Sequence, residues 1–154
     1  MKVINLVRDS YFFLFSLSTA LISGSSYVAA DPILMSNAWM RETIGQSTVT
    51  AGYLTITNSG EVSDQLSSIR AEGVAKIEIH KMTLSENGMM GMKPLYDLRI
   101  PAGETVLFEG GSDHLMLSGV SSPLKEGDRI LVIFTFLRAG EIPVLFQVSR
   151  RPPP

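Results

Sequence analysis

Both histidines of the chain, His80 and His114, lie within residues 79–116, together with five of its eight methionines. Imidazole nitrogen and thioether sulfur form a soft to borderline set of donor atoms, and the chain has no cysteine to add a thiolate. Such a set suits Cu(I). It suits Mg²⁺, Ca²⁺ and Mn²⁺ poorly, because these ions prefer oxygen ligands. The residue types in this stretch therefore indicate a copper site.

The spacing of these residues indicates that each histidine shares a strand face with a methionine. Successive side chains of a β-strand point to opposite faces, so His80 and Met82 point the same way. The same holds for His114 and Met116. Each pair is therefore one half of a possible metal site.

A hairpin is predicted between the two pairs. Residues 85–88, Ser-Glu-Asn-Gly, are typical of a turn and are flanked by strand-like residues. A hairpin centred on this turn would bring Met92 back alongside Met82 and His80. Four soft donors would then converge on one region.

Each donor has a simpler interpretation when it is taken alone. A lone methionine in a β-protein is more often core filler than a ligand, and Met89 and Met90 are interpreted in that way. The joint occurrence of both histidines with neighbouring methionines is what favours copper. Asp113 precedes His114 and is either an acceptor that orients an imidazole or an exposed turn residue.

The rest of the chain is predicted to form the short strands that position this stretch. β-branched and aromatic residues recur in alternating runs between turns rich in Gly, Pro, Asn and Ser. The predicted strands cover residues 33–41, 48–58, 64–71, 75–82, 96–100, 105–108, 114–118, 129–137 and 142–149. No segment after the leader has a convincing helical period, and residues 118–125 have room for one helical turn at most. The pattern predicts an all-β sandwich or barrel.

The start of the chain has the features of a cleaved secretory signal. Lys2 and Arg8 supply a positive start, residues 11–22 are apolar, and Val28-Ala29-Ala30 is a small-residue cleavage site. An uncleaved anchor is the alternative, because residues 11–30 carry no charge over about the 20 residues that a membrane span needs. We expect a signal peptide at residues 1–30, one domain at residues 31–149 and a disordered tail at residues 150–154.

The composition argues against several classes of function. A net charge of −2 without a run of Lys or Arg argues against a nucleic-acid partner. Blue-copper electron transfer needs a cysteine thiolate, and this chain has none. A histidine-brace oxygenase needs histidine as its first mature residue, whereas the predicted one is Asp31. No catalytic constellation has support from spacing, so we do not expect an enzyme.

The order and spacing of the donors resemble those of the periplasmic PCu(A)C-type copper chaperones. In that family a histidine is followed by about ten residues, a methionine, twenty-one residues and then His-x-Met. Here eleven residues separate His80 from Met92, and twenty-one separate Met92 from His114-Leu115-Met116. One extra residue near Asn87-Gly88 leaves Met90 as an alternative third ligand, although the following spacing and Lys93-Pro94 favour Met92.

The likeness to this family covers most of the chain after the leader. Further stretches that look like the family are Asn37-Ala38-Trp39, residues 51–58, Ile100-Pro101-Ala102-Gly103 and Leu117-Ser118-Gly119-Val120. Residues 42–46 depart from it, because they stand where the family usually has a proline-rich loop.

The resemblance implies a cupredoxin-like Greek-key β-sandwich or barrel that binds Cu(I) at its surface. The implied ligands are His80, Met92, His114 and Met116. On the residues themselves, Met82 and Met90 are auxiliary candidates, and Asp113 is a candidate to orient an imidazole. It also implies a periplasmic protein that delivers copper to the binuclear copper centre of cytochrome c oxidase, with or without a Sco-type thiol protein. We expect a monomer that contacts a membrane only if its leader is uncleaved.

Two other functions stay open on the sequence alone. The chain fits an exported β-sandwich that recognises a peptide or glycan through its loops without any metal. It also fits a copper-buffering or resistance protein that holds the ion without delivering it.

Overall fold

Ten β-strands are formed within residues 32–153, the part of the chain that the computed structural model describes. They are β1 (Ile33–Arg41), β2 (Val49–Asn58), β3 (Asp64–Ala71), β4 (Val74–Leu84), β5 (Met90–Leu95), β6 (Leu98–Ile100), β7 (Thr105–Phe108), β8 (His114–Val120), β9 (Arg129–Phe136) and β10 (Gly140–Ser149). This part of the chain contains no helix of the length and apolarity needed to cross a bilayer. The predicted signal segment, residues 1–30, lies outside the described residues.

The all-β prediction is confirmed, and most predicted strands start and end within a few residues of the observed ones. The main difference lies at residues 96–100, which were expected as one strand. The structure instead ends β5 at Leu95 and begins β6 at Leu98. The chain changes partners at this point, because β5 pairs with β4 whereas β6 pairs with β3.

One open sheet folds over to enclose the core. Its hydrogen-bonded order is β5-β4-β8-β2-β1-β10-β9-β3-β6, and β7 also pairs with β2. Apolar side chains that alternate along the central strands, such as Leu115 and Phe134, are fully buried. The two halves pack closely at Gly52, where an added Cβ would lie 3.5 Å from both Leu115 Cβ and Phe146 Cε1. An added methyl group would be in ordinary van der Waals contact with both side chains.

A β-bulge in β1 decides which way Trp39 points. The register of β1 against β2 shifts around Asn37, whose φ is 54°. Ile33 faces the core before the shift and Met40 faces it afterwards. Because one inserted residue moves the following side chains to the other face, Trp39 lies on the outer face against Tyr53 of β2.

Two buried polar side chains hold loops to the sheet. The Asn58 side-chain amide donates to the carbonyls of Val62 at 2.9 Å and Ile100 at 3.0 Å. Asp64 accepts from the backbone N–H groups of residues 138 and 139 at 3.0 and 2.9 Å. Both of these buried side chains therefore have hydrogen-bond partners, as most buried polar groups do.

The segment after β10 begins with an anchored residue. Arg150 Nε lies 2.9 Å from Glu42 Oε1 and 3.5 Å from Glu126 Oε2. Residues 151–153 are exposed, and Pro152 and Pro153 lie along a shallow groove that also contains Trp39. The start of the expected tail is thus tied to the body of the domain by ion pairs.

Candidate metal centre

The predicted hairpin is present and joins β4 to β5. Gly88 supplies a positive φ of 78° in the turn, and the Ser85 N–H donates to the Met89 carbonyl at 2.9 Å. The register places Met82 opposite Met92 and Leu84 opposite Met90. The expectation that Met92 returns alongside Met82 is therefore confirmed.

The two histidines come together through the pairing of β4 with β8. His80 lies directly opposite His114, and the centroids of their rings are 6.0 Å apart. Met116 lies opposite Glu78, one step further along the same face. The intervening residues Ile79 and Leu115 point into the core, so the imidazoles point outward.

One outer face of three adjacent strands therefore carries all the predicted donors. We call it the donor face, and its members are His80, Met82, Met90, Met92, His114 and Met116. Diagonal neighbours on adjacent strands are about 7–8 Å apart, which is within the reach of long side chains. Met92 and Met116 are both diagonal neighbours of His80. Met89 precedes β5, and both Met89 and Met90 are exposed, so the expectation that they fill the core is wrong.

His114 is held so that one of its ring nitrogens is available. Its Nδ1 lies 3.0 Å from the Ser112 carbonyl oxygen. A carbonyl oxygen can only accept, so Nδ1 carries the hydrogen of that contact and Nε2 keeps its lone pair. A backbone carbonyl that fixes the ring in this way is a common partner of metal-binding histidines.

His80 has an unsatisfied ring nitrogen. Its Nδ1 is the one buried side-chain nitrogen or oxygen without a hydrogen-bond partner among the residues that the structure describes. Its Nε2 lies 3.9 Å from Glu78 Oε2. Buried polar atoms are nearly always paired, so an orphaned nitrogen here fits an atom that a metal ion would satisfy.

A carboxylate that the sequence analysis did not single out borders the donor face. Glu78 Oε1 lies 2.8 Å from Lys76 Nζ. The hydrogen bond from Lys76 is the main cause of a lowered Glu78 pKa, with a further lowering by His80. Glu78 in turn raises the pKa of Lys76. Strand alternation could have found Glu78, because it lies two residues before His80.

Aromatic rings support the far side of His114. Trp39 and Tyr53 stack with ring centroids 4.6 Å apart, and the Tyr53 ring lies 6.4 Å from the His114 ring. Trp39 and Tyr53 are both buried. They pack beside the donor face, next to the His114 ring.

Asp113 does not contact the His114 ring, as a residue that orients this imidazole would. Its Oδ1 accepts from the backbone N–H of Met82 at 3.0 Å, whereas His114 Nδ1 contacts Ser112. Asp113 lies just before β8, and its carboxylate turns toward β4 rather than toward the His114 ring. Asp113 therefore ties the start of β8 to the end of β4 beside Met82.

The donor set is poor in hard ligands. Across residues 32–153 no group of three or more His, Cys, Asp or Glu side chains is close enough to hold a metal ion. Any metal site on the donor face would therefore need the thioethers to complete its coordination. Such a site would discriminate in favour of a soft ion.

Comparison with known proteins gives matches over most of the domain. Residues 33–148 match the LpqE-like family, described as "Putative lipoprotein LpqE-like". "Putative lipoprotein Lxx21020" of Leifsonia xyli subsp. xyli is 29% identical over 121 residues, which cover 78% of this chain and 71% of that protein. RP573 of Rickettsia prowazekii is 34% identical over 102 residues, which cover 64% of this chain and 56% of that protein.

The fold also matches solved structures. The copper-bound PCuAC domain from PmoF2 superposes with a TM-score of 0.67 at 19% identity, covering 80% of this chain and 97% of the domain. The solution structure of CuI-DR1885 from Deinococcus radiodurans has a TM-score of 0.63 at 25% identity, with coverage of 82% and 84%. These likenesses confirm the predicted cupredoxin-like all-β fold.

Proposed function

The chain belongs to the LpqE-like family, and from that premise we propose that it is an exported copper chaperone that binds Cu(I) on the donor face. The observation that carries the proposal is the position of His80 directly opposite His114, on a face that also holds Met92 and Met116. The copper named in the PmoF2 and DR1885 structures supports the same choice of ion.

The proposed ligands are one ring nitrogen from each histidine and the sulfur atoms of Met92 and Met116. For His114 the ligand would be Nε2, since Nδ1 contacts Ser112. Thioethers are uncharged and soft, so two of them favour Cu(I) over Cu(II). They also let an incoming acceptor replace one ligand at a time. Breaking a bond between Cu(I) and an uncharged thioether does not separate opposite charges.

Cu(I) titration followed by mass spectrometry under reducing, non-denaturing conditions tests this binding. The wild-type chain is expected to take up one tightly bound Cu(I), and the His114→Ala/Met116→Ala variant is expected to lose it. Met89→Ala is the control, because Met89 is an exposed methionine just before β5 that is not among the proposed ligands. A wild-type chain that takes up no copper would favour the metal-free binding module.

We further propose delivery to the binuclear copper centre of cytochrome c oxidase, directly or through a Sco-type thiol protein. The exposure of Met92 supports this, because an acceptor can reach its sulfur from solvent. Cu(I)-loaded protein mixed with the copper-free soluble domain of the oxidase subunit should lose its copper to that domain. Retention in the presence of either acceptor would favour copper buffering.

Export into the periplasm is proposed from the leader sequence. If the leader is removed after Ala30, the exported protein begins at Asp31. N-terminal sequencing of the protein recovered from the periplasmic fraction would show this start. A protein recovered in the membrane fraction and still beginning at Met1 would support the uncleaved anchor instead.

A further inference from the structure

Three methionines lie side by side at the outer end of the β4–β5 hairpin. Met82 lies opposite Met92, and Met90 is the next residue outward on the same face. Met90 and Met92 are 60% and 54% exposed, so the core does not account for their presence. Long flexible apolar side chains are thus held in solvent on the edge strand β5.

The position of Met82 is fixed by a specific contact. The Asp113 carboxylate accepts its backbone N–H at 3.0 Å, which ties this end of β4 to the start of β8. Direct cross-strand neighbours have Cβ atoms about 4.5–5.5 Å apart. The sulfur atoms of Met82 and Met92 can therefore reach a common point, and Met90 can approach it from the diagonal position.

We propose that Met82, Met90 and Met92 form a second, thioether-only position for Cu(I), through which the ion enters and leaves the histidine site. Three uncharged soft donors without a carboxylate or imidazole suit Cu(I) and hold hard ions poorly. Met92 belongs to both positions and links them. This inference rests on the proposed function, because it concerns the route to that same site.

Movement between the two positions is a ligand exchange. Bonds from copper to the Met82 and Met90 sulfurs form while those to Met116 and the imidazoles break, and the Met92 sulfur stays bound. The ion remains Cu(I) throughout, so no electron is transferred and no oxidant or reductant is needed. Copper keeps at least one sulfur ligand throughout the exchange. This lowers the free-energy barrier to breaking its bonds with the histidines.

The first test isolates the thioether position. In a His80→Ala/His114→Ala variant the tight site is removed, and we expect one weaker Cu(I) with sulfur ligands in its X-ray absorption spectrum. Adding Met82→Leu and Met90→Leu should abolish that copper, whereas adding Met89→Leu should not. Leucine has a similar apolar volume to methionine but no sulfur. A loss of copper binding would therefore show that the sulfur atoms bind the ion.

The second test measures transfer. With both histidines present, Met82→Leu/Met90→Leu is expected to slow the release of Cu(I) to bicinchoninate about tenfold relative to Met89→Leu. The inference is overturned if the two variants release copper at the same rate and the double-histidine variant binds none. Failure of the proposed function looks different, because the wild-type chain would then take up no Cu(I) at all.

Discussion

At the scale of single residues, the two histidines are held in different ways. His114 is oriented by a backbone carbonyl, whereas His80 has a buried Nδ1 without a partner and a carboxylate beside its other nitrogen. The His114 ring is therefore set before copper arrives. The copper ion would satisfy an atom of His80 that otherwise costs free energy to bury.

Proton competition at these imidazoles predicts a pH dependence of copper binding. An imidazole nitrogen must be free of its proton to bind a metal, whereas a thioether has no proton to lose. We expect the Cu(I) affinity to be lower at pH 5 than at pH 8, because protons compete with the metal for imidazole nitrogen. Competition titrations against a Cu(I) chelator calibrated at both pH values would measure this. Equal affinities would argue against imidazole ligands.

The Lys76–Glu78 pair predicts a change in the Glu78 pKa that can be measured in the metal-free protein. Lys76→Met should raise the Glu78 pKa toward its ordinary value, because the main cause of the lowering is the Lys76 hydrogen bond. A lowered carboxyl pKa stabilises the fold above the ordinary glutamate value, and that stability is lost as the pH falls through the folded-state pKa.

Carbon NMR titration of the Glu78 carboxyl would follow this change. Lys81→Met is the matched control, since Lys81 is the neighbouring lysine on the other face of β4 and should leave the Glu78 pKa unchanged. An unchanged Glu78 pKa in Lys76→Met would show that the hydrogen bond is not its cause.

At the scale of elements, local sequence was enough to predict most of the strands and the turn of the β4–β5 hairpin. Alternation in β2 and β8 and the turn at residues 85–88 depend only on neighbouring residues. The bulge at Asn37 and the end of β5 at Leu95 depend on which strand is the partner. The opposition of His80 and His114 is also a long-range register, so the local sequence could not give their contact.

Asn58 ties β2 to two distant segments, so its truncation should destabilise the domain. Asn58→Ala leaves the carbonyls of Val62 and Ile100 without their donor and removes the acceptor of the Gly60 N–H. We expect a loss of about 2–4 kcal/mol in the free energy of unfolding. Urea denaturation of the metal-free protein would measure it.

The matched control for this substitution is Gln147→Ala, an exposed amide on β10 that should change stability by less than about 0.5 kcal/mol. The folded Asn58→Ala protein should still bind one Cu(I), because the donor face is formed by other strands. Wild-type stability in Asn58→Ala would contradict the role given to this buried amide.

At the scale of the whole molecule, the fold gathers donors that are distant in the sequence. The unfolded chain cannot hold His80 and His114 together, so Cu(I) should bind the folded state preferentially. A ligand at one hundred times its Kd stabilises the folded state by about 2.7 kcal/mol. Cu(I) should therefore raise the melting temperature of the wild type by several degrees, and calorimetry should show a clearly smaller rise for His114→Ala/Met116→Ala, which lacks the tight site.

The central claim is that two imidazoles and two thioethers on the donor face bind one Cu(I). X-ray absorption spectroscopy of the Cu(I)-loaded wild-type protein tests it most directly, because the spectrum distinguishes nitrogen from sulfur neighbours of the ion. We predict both kinds of ligand at a single copper, with the nitrogen contribution lost in His80→Ala/His114→Ala. A spectrum without sulfur, or one that the double-histidine variant leaves unchanged, would contradict it.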